Sequence, residues 1–177
     1  MSRSKIPQSA LAERQIMTPQ DCLYALRNSR LAAELSDEQC SVLSEFVTLR
    51  DLRDGEVLVR EGDPDNHLYV IVKGLLSVVK NAGKAEELTF FTISAGDFAD
   101  ELSFMDGTQH YASLIALGDT RVLGLEREAL ESLLKRHPEV VYRVMRAIVR
   151  AVHQIQRRLS MQSVELTNYI YKQHGRY

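Results

Sequence analysis

The sequence predicts a mainly β protein with flanking helices: an antiparallel β-roll or jelly roll (double-stranded β-helix), followed by a hinge helix and a long C-terminal helix. Three observations carry this reading. The apolar period changes from about 3.6 to 2 near Val47, which marks a passage from helix to strand. Short runs of Val, Leu, Ile, Phe and Thr then alternate with regularly spaced turn signals, the pattern of an antiparallel roll, sandwich or barrel. After Pro138 a single helical pattern runs almost to the C-terminus. The 177 residues divide into an N-terminal extension with one helix over 1–35, the roll over 36–137 and the long helix over 138–177.

The first 17 residues are polar and mixed. Thr18-Pro19-Gln20-Asp21 reads as a helix start, with Thr18 as cap and Pro19 at the first position, and the helix is expected to reach about Glu34. Ser36 heads a second helix with a Ser-to-Gln capping box ending at Gln39. That helix carries Cys40, Val42, Leu43 and Phe46. Turns between strands are expected at Asp54-Gly55, Gly62 to Asn66, Lys73-Gly74, Asn81 to Gly83 and Gly96-Asp97. A short apolar-periodic piece spans Phe98 to Met105, and an extended run follows over Tyr111 to Leu117. Leu130, Leu133 and Leu134 give a short amphipathic helix that stops near His137-Pro138.

In the long helix Val141, Met145, Ile148, Val152, Ile155, Leu159, Gln162, Leu166 and Tyr169 recur at steps of four and three. That is a heptad seam, and it predicts homodimerisation through Val141, Met145, Ile148, Val152, Ile155 and Leu159. Arg143, Arg146, Arg150, Arg157 and Arg158 lie off the seam and read as a solvated face.

Composition bounds the function classes. Lysine and arginine total 22 against 24 acidic residues, so the formal charge of −2 gives no electrostatic case for nucleic acid or membrane binding. Cys22 and Cys40 have no metal-type spacing, and Cys40 reads as a small core residue in a reducing, cytoplasmic setting. The N-terminus lacks a secretory pattern. The most apolar run, Leu68 to Val79, is interrupted by Lys73 and Gly74 and is too short to span a bilayer. His67, His110, His137, His153 and His174 are scattered, without the His-x-His pair of a metal-dependent jelly-roll enzyme. Asp97, Asp100 and Glu101 offer carboxylates of the kind that bind hard cations, but acidic residues beside a Gly turn more often cap or face solvent, so neither a metal nor a catalytic residue is assigned.

The chemistry concentrates in Gly96 to Ala116. A helix start between two strands presents outward N–H groups that favour an anion. Ala99-Asp100-Glu101-Leu102-Ser103-Phe104, then Gln109-His110-Tyr111-Ala112-Ser113-Leu114, resembles the phosphate-binding cassette of cyclic nucleotide-binding domains, F-G-E-L-A-L followed by P-R-A-A-T-V. Val59 to Gly74 resembles the same family's E-G-D-P-x-D-x-L-Y-x-I-x-x-G signature, and Leu123 to Pro138 its strand into the hinge helix. The resemblance covers Ser36 to Pro138.

The resemblance implies a non-catalytic regulatory module that binds a cyclic nucleotide, cyclic AMP before cyclic GMP, and couples it to a dimeric C-terminal helix. It implies no cofactor besides that ligand. The implied ligand-binding residues are Asp100, Glu101, Leu102, Ser103, His110, Tyr111, Ala112 and Ser113. Glu101 stands where the family's glutamate accepts from the ribose 2′-hydroxyl; it also reads as a carboxylate capping its own helix.

Two positions depart from the family. The arginine that binds the cyclic phosphate is absent: its place falls on His110, or on Tyr111 after a one-residue slip. A charged hydrogen bond of that kind contributes about 1.5–3 kcal/mol. His110 reads either as a partial substitute or as an exposed loop histidine. Asp100 replaces a glycine, which puts a carboxylate by the phosphate path unless it points to solvent or caps the helix. The alternative is therefore a non-binding dimerisation or protein-interaction module of the same fold. In transcription factors of the family a helix-turn-helix domain follows the long helix; 177 residues leave no room for one, so direct DNA reading is not expected.

Overall fold

In the computed structural model, residues 17–174 are described. The chain opens with α1 (Pro19–Arg27), a 3-10 turn (Arg30–Glu34) and α2 (Asp37–Ser44). It continues through β1 (Val47–Leu52), β2 (Val57–Val59), β3 (His67–Lys80), β4 (Leu88–Ser94) and β5 (Phe98–Ala99). Then come α3 (Glu101–Asp106), β6 (Ser113–Glu126), α4 (Arg127–Ser132), a second 3-10 turn (Leu133–Lys135) and α5 (Pro138–His174).

Both expected helix starts form. Thr18 and Ser36 accept from the backbone N–H of Asp21 and Gln39, whose side chains accept from the two cap amides in return. The first helix is shorter than expected. It ends at Arg27, where Asn28 and Ser29 turn back on the carbonyls of Tyr24 and Leu26, and only a 3-10 turn covers Arg30–Glu34.

The strands form one antiparallel sheet in the order β1-β6-β3-β4, with β2 also paired to β6 and β5 to β3. Lys73-Gly74 does not separate two strands, as the sequence pattern suggested. It bends one 14-residue strand. His67–Ile71 pairs with Val122–Glu126, the register shifts around Lys73, and Leu75–Val79 pairs with Ser113–Leu117. Gly74 has a φ of +87°, and a Cβ there would lie 2.5 Å from Thr120 Oγ1 and 2.7 Å from the Asp119 carbonyl oxygen. Thr120 Oγ1 fills that space instead, accepting from the Leu75 amide and donating to the Leu75 carbonyl. The same bend makes β6 a single strand where two runs were expected.

Strand alternation divides the interior in two. Leu68 and Val70 on β3, with Leu123 and Leu125 on β6, face the helices and join Leu26, Leu31, Leu43, Phe104, Leu130, Val140, Val144 and Ile148. Tyr69 and Ile71, with Val122, face into the roll and join Leu52, Leu76, Val78, Ala112 and Leu114. The N-terminal helix thus shares its core with α5. Glu34, its side chain only 7% exposed, pairs with Arg146 at 3.3 Å and with Arg150. These two arginines, still partly solvated, also serve as docking contacts.

The first half of the seam is also used within the chain. Val141 and Ile148 are buried in the helical core, with Met145 and Val152 packed against it. Ile155 is half-buried. The side chains of Leu159, Gln162, Leu166 and Tyr169 lie outside the described residues. No helix among the described residues is long and apolar enough to cross a membrane.

Candidate functional site

Three loops meet at one end of the roll: the turn from β2 into β3, the step from β5 into α3, and the approach to β6. They bring together Asp65, Asp100 and His110. Asp100 sits at the left-handed φ of +69° before α3. That backbone explains why a glycine suits this position; aspartate is among the few other residues that tolerate it. The Asp100 side chain neither caps α3 nor points to solvent. It turns inward and meets His110 Nδ1.

His110 is not an exposed loop histidine: its residue is 4% exposed. Its backbone accepts from the Gly62 amide and donates to the Asp63 carbonyl, so the β2–β3 loop fixes the ring's position. Nε2 points toward Asp65 Oδ2 at 4.0 Å, beyond hydrogen-bond reach. Asp100 Oδ2 approaches His110 Nδ1 without hydrogen-bond alignment. Asp100 Oδ2 and His110 Nε2 are, among the described residues, the buried side-chain polar atoms without a hydrogen-bond partner.

Asp65 is held from the other side. Its Oδ1 accepts from the His67 amide and faces His67 Nδ1, and its Oδ2 accepts from the Tyr69 hydroxyl at 2.8 Å. The close approach of Gly124 admits the Tyr69 ring: a Cβ there would stand 3.3 Å from it. Burial pulls the Asp65 carboxyl up, but the bonds from His67 and Tyr69 outweigh it and hold Asp65 below the usual carboxylate range. Asp65 in turn pushes His67 up, and burial with Asp65 pushes Tyr69 up.

The expected ligand-binding residues separate into groups. Glu101 heads α3 with its carboxyl pushed up, by burial first and then by the charges of Asp100 and Asp97, against a bond from its own amide. Burial likewise pushes Asp100 up, opposed by His110 and Ser103. Among the described residues no lysine or arginine is ion-paired with Asp65, Asp100 or Glu101. Ser103, Ala112 and Ser113 are buried, and Ser113 Oγ accepts from the Glu61 amide at 2.9 Å. Leu102 is exposed. Tyr111 faces outward, stacked on Phe90 and covered by Lys80, so the inward residue of the two candidates for the arginine's place is His110.

Two residues were missed. Asp65 was visible only as part of a loop signature. Arg127 donates from Nε to the Phe104 carbonyl at 2.7 Å and from Nη2 to the Ser103 carbonyl at 2.8 Å. It satisfies the open end of α3 and ties the cassette to the first residue of α4. No local pattern announces either contact.

A helical face against a bent antiparallel roll, with a short helix between β5 and β6, is the architecture that the sequence resemblance implies, that of a cyclic nucleotide-binding domain. The family model described as cyclic nucleotide-binding domain matches residues 49–137. The chain belongs to that family. It is 27% identical over 138 residues to "Neuropathy target esterase sws" of Drosophila ananassae, covering 74% of this chain and 9% of that protein. It is 24% identical over 140 residues to the "Cyclic AMP receptor protein" of Thermus thermophilus, covering 79% of this chain and 65% of that protein. The chain thus spans less than two thirds of the length of these relatives. A solved cyclic nucleotide-binding domain from Methylobacillus flagellatus superposes with a TM-score of 0.67 at 25% identity, covering 79% of each chain.

Proposed function

We propose that the chain is a non-catalytic regulatory module that binds a cyclic nucleotide, cyclic AMP before cyclic GMP, and passes the bound state to a homodimeric C-terminal helix. The observation that carries this reading is the cassette itself, with Glu101 at the head of α3 and the end of α3 bound to the hinge through Arg127. Glu101 accepts from the ribose, and His110 is the inward group nearest the role of the missing arginine. A ligand that reorganises α3 pulls on two carbonyls held by Arg127. The Arg127 amide donates to the Asn66 carbonyl, and the Asn66 side chain donates to Glu128. The start of α4 is therefore tied both to the cassette and to the loop that carries Asp65, and α5 begins at Pro138, eleven residues after α4 begins at Arg127.

Dimerisation of the helix is supported by apolar surface on α5 that the chain's own core leaves uncovered, though off the predicted seam: Tyr142, Val149, Met161 and Val164 are exposed. The two free, buried cysteines suit a reducing compartment. Calorimetric titration with cyclic AMP and cyclic GMP tests the ligand, and light scattering tests the dimer. Absence of binding at millimolar nucleotide refutes the ligand reading, and a monomer refutes the dimeric helix.

The inward carboxylates favour a second reading, in which the roll has lost its ligand and serves as a dimerisation or interaction module. Asp65 and Asp100 gather around His110, with Glu101 following Asp100 at the head of α3, and among the described residues no lysine or arginine is ion-paired with them. This reading predicts a dimer that Glu101→Ala leaves unchanged and that ignores both nucleotides.

A further inference from the structure

We propose that Asp65, Asp100 and His110 form a binding site for a divalent transition-metal cation, zinc or manganese, which takes the place of the family's guanidinium beside the cyclic phosphate. One ligand atom from each residue lies within 4.8 Å of the others. The three come from separate loops, so the fold and not a local turn assembles them. The ring of His110 is aimed into the group with its Nε2 buried and unbonded. A buried imidazole nitrogen without a partner calls for an explanation, and a cation between Nε2 and Asp65 Oδ2 supplies one. Their 4.0 Å separation is too long for a hydrogen bond and leaves room for a cation, which in tetrahedral geometry with ligands at about 2.0–2.1 Å would draw the two atoms to about 3.3 Å.

The surroundings of these residues are those of a held ligand set. Asp100 Oδ2, buried without a hydrogen bond, lies against the same imidazole ring and offers the third ligand atom. Asp65 is oriented by Tyr69 and His67. One nitrogen among carboxylate oxygens suits zinc or manganese; magnesium and calcium favour all-oxygen shells.

Charge connects the site to function, and this part rests on the cyclic-nucleotide reading. Without a cation, a phosphate arriving at α3 meets Asp65 and Asp100, and Glu101 follows at the head of the helix. A divalent ion offsets two of those charges and keeps coordination positions open for a phosphate oxygen. The carboxylates that oppose an anion then become the means of holding it.

The test uses the full chain, dialysed against chelator and checked for folding by circular dichroism. Zinc and manganese chlorides are titrated by calorimetry, with magnesium and calcium chlorides as controls. Saturable binding of one zinc or manganese per chain is expected, weakened at least tenfold in His110→Gln and in Asp65→Asn. His153→Gln, on the exposed face of α5, leaves it unchanged. No saturable binding, or binding that survives both folded variants, overturns the cation site. Cyclic AMP is then titrated with and without zinc. At least tenfold tighter binding with zinc supports the whole proposal. Equal binding in both conditions overturns the phosphate role. Zinc bound at His110 with no nucleotide bound in either condition supports the cation site and refutes the cyclic-nucleotide reading.

Discussion

His110 Nε2 and Asp65 Oδ2 face each other across 4.0 Å, and Asp100 meets the other nitrogen of the same ring. The family resemblance locates an arginine here; the fold supplies a buried imidazole between two carboxylates. On the proposed cyclic-nucleotide reading, anion binding at this seat is governed by how those carboxylates are compensated.

Asp100→Gly tests their opposition directly. The substitution relaxes a left-handed aspartate at φ +69° and removes one negative charge. Like charges at about 4 Å repel by about 1 kcal/mol in water and about 4 kcal/mol near a protein surface. In metal-free protein cyclic AMP affinity is expected to rise about tenfold, and Asp100→Asn, which keeps the side-chain volume, should reproduce most of the gain. Weaker binding in both variants shows that Asp100 helps to hold the ligand.

Arg127 is the joint between cassette and hinge. Its two charge-assisted bonds to α3 carbonyls predict a loss of about 2–3 kcal/mol in Arg127→Ala, read from urea unfolding. Arg127→Lys keeps the charge but not the fork and should fall between. A loss below about 0.5 kcal/mol removes Arg127 as the tie.

The bend in β3 depends on Gly74. Ala at this position places its Cβ against Thr120 and the Asp119 carbonyl at a strained φ. A destabilisation of about 3 kcal/mol is expected. Gly83→Ala, at φ +75° with open space around it, isolates the backbone contribution at about 1 kcal/mol. Equal losses at both positions contradict the steric account.

Asp51 and Arg121 stand directly opposite on β1 and β6, joined by two hydrogen bonds. The guanidinium holds the Asp51 carboxyl below its usual range. A depressed folded pKa means stability present above the unfolded value of about 4 and lost as pH falls through the folded one. Both side chains are more than one third exposed, so the contribution is on the order of 0.5 kcal/mol. Asp51→Asn should lower the urea midpoint at pH 6 and converge with the parent protein near pH 2. A constant difference across that range places the effect elsewhere.

Local chemistry was readable in the sequence where it is written locally. Thr18 with Asp21, and Ser36 with Gln39, fix helix starts within one turn of chain. The period-2 alternation that sends Leu68 and Val70 one way and Tyr69 and Ile71 the other is visible in the string itself. Gly74 was recognised as special, but a glycine that bends a strand and one that ends it look alike without the partner strand. The heptad seam did not distinguish Val141 and Ile148, which meet the chain's own core, from residues free to meet another copy. Asp65, Arg127 and the Glu34–Arg146 pair depend on contacts across 23 or more residues, and no periodicity encodes which loop meets which.

The central claim, a cyclic-nucleotide module whose phosphate seat is built from His110 and its carboxylates, is tested most directly by titrating cyclic AMP into the folded protein at pH 6.5. Saturable calorimetric binding that is weakened at least tenfold by Glu101→Ala and by His110→Gln is the predicted result. No heat of binding at millimolar nucleotide, in chelated and in zinc-loaded protein alike, contradicts it.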